Sequence, residues 1–210
     1  MPFLSGGLVD RIARRPSGLL GYLFYRFPLG HKPGFDLALD RLPPTPRDVV
    51  LEVGCGGGVF MRRLLAGGCT AIAVDHSADM VRNASRLNAE AIRARRLVVS
   101  QADAGDLPVE TCSIDKVYCL NAFFFFPDPQ KSLAEMARVL KPGGKLALIT
   151  SPPEFREKIV RFSRKMAESM RFDEPSTLEQ WARDAGFSTL ETRRAANAGF
   201  LMIATRQEKA

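Results

Sequence analysis

Hydrophobic and polar residues follow two different periods along the chain. From residue 48 onward, short apolar runs of about five residues are followed by longer stretches in which apolar residues recur every three or four positions. The short runs are typical of buried strands, and the longer stretches of amphipathic helices. Strands and helices therefore alternate, and the continuously apolar strands favour a parallel sheet with helices on both faces.

Start and stop signals divide this part of the chain into elements. Ser77 is a predicted helix cap, and Asp128-Pro129 opens a helix that stops before Lys141-Pro142-Gly143-Gly144. A long charged helix is expected over 154–170, and another from 176 to 185. The predicted strands are 49–53, 70–74, 97–100, 114–120, 145–150, 187–193 and 200–206.

The first 46 residues differ from the rest. A basic stretch at 8–15 precedes an aromatic stretch at 19–27, and a helix is expected over 35–42, before three prolines. We expect an N-terminal helical cap at 1–46 and one α/β domain at 47–210. Tyr22, Tyr25 and His31 are candidate contacts for a bound substrate, although they also suit a packed cap. The order of basic and aromatic stretches also resembles an interfacial membrane anchor.

Composition narrows the function only slightly. The 30 Lys and Arg residues against 23 Asp and Glu give a net charge of +7, which suits an acidic partner or simply a basic surface. No basic cluster is interleaved with aromatic residues, so nucleic-acid binding is not expected. Four cysteines without a CxxC pair argue against zinc and against a disulfide framework. We expect a cytoplasmic protein that is a monomer or a homodimer, with at most weak contact to a membrane surface.

A glycine-rich turn follows the first predicted strand. It reads Gly54-Cys55-Gly56-Gly57-Gly58, where backbone can approach a ligand closely and the next helix offers free N–H groups. Asp75 ends the second strand 21 positions after Gly54, where a carboxylate can accept hydrogen bonds from ribose hydroxyls. Val59 replaces the last glycine of a dinucleotide motif. The pattern therefore indicates a cofactor that contains adenosine and disfavours an NAD-linked oxidoreductase.

Three segments resemble the class I S-adenosylmethionine-dependent methyltransferases, in the branch similar to the enzymes of ubiquinone and menaquinone biosynthesis. They are the glycine turn at 51–58, the block at 101–108 with 113–117, and the run 126–129 leading to 138–144. The resemblance implies a Rossmann-like fold: a seven-stranded, mostly parallel sheet with an antiparallel C-terminal strand and helices on both faces. It also implies S-adenosyl-L-methionine as the cofactor.

The resemblance also implies site residues. Glu52 would hold the amino group of the cofactor, Asp75 its ribose and Asp103 its adenine amine, and Asn121 would face the reaction centre. The full set of implied cofactor contacts is Glu52, Gly54, Cys55, Gly56, Gly58, Asp75, His76, Met80, Asp103, Ala104 and Asn121. For His76 a surface position without a ligand is an open alternative, and for Asn121 the role of a simple turn former.

The residues after the fourth strand bear on the acceptor. They read Asn121-Ala122-Phe123-Phe124, without the Asn/Asp-Pro-Pro-Tyr turn of many enzymes that methylate amino groups of nucleic acids or proteins. We therefore expect a small hydrophobic or aromatic acceptor. One or two of the four consecutive phenylalanines should line its pocket, with Phe123 and Phe124 as the candidates. Two alternatives stay open: a non-catalytic binder of S-adenosylmethionine or S-adenosylhomocysteine, and a membrane-peripheral lipid methyltransferase.

Overall fold

A computed structural model describes residues 31–194 and 199–208, in which seven strands form one sheet. The basic and aromatic stretches of the N-terminal segment, with Tyr22 and Tyr25, lie outside the described residues. The strands are β1 (Val49–Val53), β2 (Thr70–Asp75), β3 (Leu97–Gln101), β4 (Ile114–Leu120), β5 (Leu140–Thr150), β6 (Phe187–Arg194) and β7 (Phe200–Arg206).

The strand order is β3-β2-β1-β4-β5-β7-β6. Strands β1 to β5 pair in parallel, whereas β7 is antiparallel to both β5 and β6. This confirms the predicted fold class. The chain builds outward from β1 to β3 and then returns to place β4 on the other side of β1. The switch point therefore lies between β1 and β4, where open parallel sheets bind their ligands.

Helices connect the strands. They are α1 (Lys32–Arg41), α2 (Val59–Leu65), α3 (Ala78–Leu87), α4 (Ala89–Arg93), α5 (Pro129–Val139), α6 (Arg156–Phe162), α7 (Arg164–Glu168) and α8 (Pro175–Asp184), with 3-10 turns at Phe123–Phe125 and Pro153–Phe155. The predicted caps are confirmed, because the side chains of Ser77 and Asp128 accept from the N–H groups of Met80 and Lys131. None of the helices within the described ranges is long and apolar enough to cross a bilayer.

Each face of the sheet has its own hydrophobic core. Along β5, Leu146 and Leu148 belong to the core that includes Leu133 and Met136 of α5. The alternate residues Ala147 and Ile149 belong to the opposite core, with residues of α1 and α2. Successive side chains of a strand point to opposite faces, so the continuously apolar strands bury both of their faces.

Helix α1 is part of the second core. The ring of Phe35 lies 4.9 Å from the ring of Phe60 in α2. The hydroxyl of Tyr118 in β4 donates to the carbonyl of Leu42 just after α1, at 2.7 Å. The helix predicted at 35–42 begins three residues earlier, at Lys32. Its contacts show that it packs on the sheet itself. The division of the chain at residue 46 stays a prediction.

Two predicted elements differ from the structure. The single helix expected over 154–170 is wrong: Ser163 leaves the helical region with φ −159°, and its side chain accepts from the N–H of Met166 to begin α7. A serine that bonds nearby backbone in this way competes with the helix. Strand β5 begins at Leu140 rather than at residue 145, because Leu140 pairs with Ile114 before the Pro-Gly-Gly sequence.

Candidate functional site

A cavity of about 240 Å³ opens at the carboxyl ends of β1, β2 and β4. It lies at the switch point of the sheet, where the sequence predicts a ligand site. Ten of the predicted cofactor contacts line it: Glu52, Gly54, Cys55, Gly56, Asp75, His76, Met80, Asp103, Ala104 and Asn121. The fold therefore brings together residues that are as many as 69 positions apart in sequence.

The glycine turn closes tightly against its neighbours. Gly54 has φ +78°, and a Cβ atom there would lie 2.4 Å from the Cβ of Ala122 after β4. Only glycine allows this approach at this backbone conformation. The N–H of Gly56 donates to Oδ2 of Asp75 at 2.9 Å, so the turn is tied to the end of β2.

Gly58 does not line the cavity, and its contact with the cofactor stays a prediction. A Cβ atom at Gly58 would lie 2.6 Å from Nδ2 of Asn88 and 2.9 Å from Ala84. Its carbonyl accepts a hydrogen bond from Nδ2 of Asn88 at 3.1 Å. This glycine therefore lets the start of α2 approach α3, and its role is packing.

Asp75 is held by backbone on both carboxylate oxygens. Oδ1 accepts from the N–H of Ser77, and Oδ2 from the N–H of Gly56, both at 2.9 Å. Nδ1 of His76 lies 3.5 Å from Oδ1. Burial raises the pKa of Asp75, and the two N–H groups and His76 act in the opposite direction. The carboxylate is thus fixed in orientation and keeps acceptor capacity for a pair of hydroxyls.

Two buried polar atoms on residues that line the cavity have no hydrogen-bond partner within the described part of the chain. They are Oε2 of Glu52 and Nδ2 of Asn121. Burial, and then the charge of Asp75, raises the pKa of Glu52 well above its ordinary value. Asn121 has φ +58°, a strained conformation for a non-glycine residue. An unmet acceptor and an unmet donor of this kind point to a ligand that carries both groups.

The remaining predicted contacts surround the same space. Oδ1 of Asp103 accepts from the N–H of Gly105 at 2.7 Å, which orients that carboxylate beside Ala104. His76 is about half exposed, with 48% of its side chain accessible. Burial first, and then the charges of Asp75 and Glu52, raise the pKa of the Cys55 thiol well above its ordinary value. Cys55 is therefore a neutral wall residue and not a nucleophile.

The charge of the cavity selects among ligands. Three carboxylates line it, those of Glu52, Asp75 and Asp103, and no lysine or arginine stands among the described lining residues. Such a site suits a ligand with positive charge and hydroxyl groups, and it disfavours a pyrophosphate. S-adenosylmethionine, with a sulfonium, an ammonium group and a ribose, fits these residues. Glu52 would then hold the ammonium group, Asp75 the ribose and Asp103 the adenine.

The cavity also has aromatic lining residues, but Phe123 and Phe124 are not among them. Phe123 and Phe124 are buried, at 0% and 6% exposure, and do not line the cavity, whereas Phe125 and Phe126 do. A 3-10 turn at Phe123–Phe125 rotates successive side chains by about 120°, which sends the first phenylalanine into the core. Phe125 and Phe126 thus take the place in this cavity that was expected of Phe123 and Phe124, and contact of Phe123 or Phe124 with an acceptor stays a prediction.

Further lining residues escaped the sequence analysis. They are Phe35, Val53, Gly57, Val59, Phe60, Val74, Ala102, Leu120, Ala122 and Pro127. His31, a candidate substrate contact of the N-terminal segment, also lines the cavity. Phe35 reaches the cavity because α1 packs against α2. Phe60 reaches it because α2 begins directly after the glycine turn. Their apolar spacing on helices is the same as that of core residues, so the sequence carried no signal for them.

The sheet order, the switch-point cavity and its carboxylates define a Rossmann-like protein that binds an adenosine-containing cofactor. Comparison with known proteins makes this assignment specific. Residues 51–148 match the family described as a methyltransferase domain. The chain is 30% identical over 158 residues to an uncharacterised chloroplastic methyltransferase of Arabidopsis thaliana, covering 68% of this chain and 44% of the relative.

A second relative and two solved structures agree with this family. The ubiquinone biosynthesis O-methyltransferase of Methylococcus capsulatus is 30% identical over 148 residues, covering 65% of this chain and 61% of that protein. A Haloferax volcanii protein in complex with the Trm112 methyltransferase activator has a TM-score of 0.75 at 24% identity, over 88% of this chain and 93% of that one.

The second structure is Haemonchus contortus phosphoethanolamine N-methyltransferase 2, in complex with S-adenosyl-L-methionine. Its TM-score is 0.75 at 17% identity, over 98% of this chain and 60% of that one. At such identities the structures show the fold alone. The chain spans 44% and 61% of the lengths of the two curated relatives. It belongs to the class I S-adenosylmethionine-dependent methyltransferases, whose cofactor is S-adenosyl-L-methionine.

Proposed function

We propose that this protein transfers a methyl group from S-adenosylmethionine to a small hydrophobic or aromatic acceptor. The observation that carries the proposal is that one cavity combines two chemistries. Carboxylates line it at the ends of β1 and β2 and in the loop after β3, and aromatic side chains line it from the turn after β4, from α1 and from α2. A cationic cofactor and an apolar acceptor would meet between them.

The residues of the chain would act mainly by binding and by excluding water. When bound, the cofactor supplies an electrophilic methyl group on a sulfonium. Glu52 and Asp75 would fix its two polar ends, and Asn121 would donate to a group at the reaction end. Phe125 and Phe126 would hold the acceptor and keep water away. Positioning of this kind accounts for much of the rate in displacements that need no covalent enzyme intermediate.

A phenolic acceptor is the finer form of the proposal. The Methylococcus relative is a ubiquinone biosynthesis O-methyltransferase by name, and an aromatic wall suits a phenol ring. His31 lines the cavity and is half-buried, and burial lowers its pKa. The imidazole is therefore neutral at pH 7 and can accept a proton or a hydrogen bond from a hydroxyl.

The test is a methyl-transfer assay with 4-alkylcatechols of increasing chain length, using S-adenosylmethionine labelled on the methyl group. We expect kcat/KM to rise with each added CH2 by at most about fourfold, because burying one CH2 is worth about 0.8 kcal/mol. Cofactor binding without transfer to any phenol, amine or thiol in a wider panel would support the non-catalytic alternative.

The lipid alternative is distinguished in the same assay. Transfer to lipid head groups in anionic vesicles, but not to catechols, would support a membrane-peripheral enzyme, and salt should then weaken the binding to vesicles. Cytoplasmic location and a monomeric or homodimeric state stay predictions.

A further inference from the structure

Arg171 holds the turn that forms the aromatic wall. We call residues 121–127 the aromatic turn. The backbone N–H of Arg171 donates to the carbonyl of Phe124 at 2.9 Å. Its guanidinium donates to the carbonyls of Phe126 and Phe123, the latter at 3.1 Å. One residue, 45 to 48 positions away in sequence, therefore binds three of the four phenylalanine carbonyls.

The guanidinium is itself held in place. Its Nη2 lies 3.2 Å from Oδ2 of Asp173, whose side chain is only 10% exposed. The guanidinium carbon lies 5.2 Å from the centroid of the Phe123 ring, in cation–π contact. Bonds from a charged donor are worth more than neutral ones, and the planar fork of arginine suits two acceptors at once. A lysine could not reproduce this set of contacts.

The held turn contacts the cofactor side of the cavity. A Cβ atom built on Gly54 would lie 3.7 Å from Cζ of Phe126, so the ring of Phe126 stands directly over the glycine turn. The rings of Phe126 and Phe123 pack edge to face at 5.8 Å. A shift of the turn would therefore move Phe125 and Phe126 relative to the glycine turn.

We propose that Arg171 is a positioning residue for the acceptor. It ties the aromatic turn to the segment that follows α7, and so sets the distance between the aromatic wall and the glycine turn. Arg171 does not line the cavity, so it acts through Phe125 and Phe126. The inference rests on the proposed function for the identity of the acceptor wall, but the fixing of the turn can be measured without any acceptor.

The experiment compares Arg171→Lys and Asp173→Asn with the wild type. The matched control is Arg164→Lys, since Arg164 lies on α7 in an exposed pair with Glu168. Hydrogen exchange of the aromatic turn is followed by mass spectrometry in protein saturated with S-adenosylhomocysteine. Affinity for S-adenosylmethionine and the steady-state kinetics with a 4-alkylcatechol are measured on the same proteins.

We expect exchange in the aromatic turn to speed up about tenfold or more in Arg171→Lys and less in Asp173→Asn, with β1 and β2 unchanged. Acceptor kcat/KM should fall about 10- to 100-fold, because misplacement by about 1 Å costs rates of this order. Cofactor affinity should fall much less than acceptor kcat/KM, because Glu52, Asp75 and Asp103 lie outside the aromatic turn, and Arg164→Lys should match wild type throughout.

Unchanged exchange in the turn for both variants would overturn the proposal. Loss of cofactor affinity in parallel with acceptor kinetics would also overturn it, since that pattern indicates a general structural role. Failure of the wild type to bind S-adenosylmethionine would refute the proposed function instead, and exchange in the ligand-free protein would still decide the role of Arg171.

Discussion

At the scale of single residues, the floor of the cavity is formed by Glu52 and Asp75, whose two carboxyl groups lie close together. The charge of Asp75 adds to burial in raising the pKa of Glu52, and no described group satisfies Oε2 of Glu52. An arrangement of this kind costs folding free energy when the ligand is absent. It is retained where function requires it, and binding of a cationic group would remove the cost.

Glu52→Gln should therefore stabilise the ligand-free protein while weakening the binding of S-adenosylmethionine. The folded-state pKa of Glu52 is raised, so its contribution to stability is greatest below the ordinary value of 4.5 and is lost as the pH rises. We expect the variant to gain about 1–3 kcal/mol in unfolding free energy at pH 8 relative to wild type, and little near pH 4.5. Urea unfolding across this pH range measures the difference, and titration calorimetry should show roughly 10- to 100-fold weaker binding.

Glu135→Gln is the control of opposite sign. In the wild type, the hydrogen bond from Arg138 lowers the pKa of Glu135. The stabilisation from Glu135 is therefore present at pH values above the ordinary pKa of glutamate and is lost as the pH falls. This variant should lose stability at pH 8 and keep its cofactor affinity. A Glu52→Gln variant that is less stable than wild type at pH 8 would contradict the account of the cavity floor.

Gly58→Ala tests the packing role assigned to that glycine. Gly58 and Gly186 both have positive φ, but a Cβ atom at Gly186 would meet nothing within 4 Å. Gly186→Ala should cost only the backbone strain, about 1–2 kcal/mol. Gly58→Ala should cost about 1–3 kcal/mol more, because its methyl group meets the backbone of α3. Equal losses of unfolding free energy in the two variants, measured by urea unfolding, would mean that α3 shifts to accommodate the methyl group. That result would contradict the packing role of Gly58.

At the scale of elements, two adjacent residues of the aromatic turn have different roles, because Phe124 is buried and Phe125 lines the cavity. Phe124→Ala removes a buried ring and should cost about 3–5 kcal/mol in unfolding free energy. Phe125→Ala should cost far less stability but raise the KM for a 4-alkylcatechol about tenfold, since it removes a ring from the cavity wall. Urea unfolding and steady-state kinetics on both variants separate the effects. The reverse assignment, with the larger KM change in Phe124→Ala, would contradict the orientation of the turn.

Helices and strands were predictable where a local signal fixes them. Ser77 and Asp128 bond to backbone three residues onward, and apolar runs fill both cores. The break at Ser163 was not predicted, because a serine in a charged helical pattern gives only a weak signal. The orientation of the four phenylalanines was not predicted either, since four identical residues carry no period.

At the scale of the whole molecule, the site depends on contacts between distant parts of the chain. Asp75 was predictable because its position follows from the strand that it ends. Arg171 was not, because its bonds to the aromatic turn span 45 to 48 residues and no local pattern marks them. The aromatic part of the cavity likewise depends on α1, which packs against α2 and against the sheet.

The most direct test of the central claim is titration calorimetry of S-adenosylmethionine into wild type and Asp75→Ala. Asp40→Ala is the control, because the side chain of Asp40 is 74% exposed and lies outside the cavity. We expect micromolar binding to wild type and to the control. Asp75→Ala should bind S-adenosylmethionine about 100-fold or more weakly, because it loses the hydrogen bonds from the two ribose hydroxyls to a charged acceptor. No binding to folded wild type, or equal binding to Asp75→Ala, would contradict the assignment of this cavity to the cofactor.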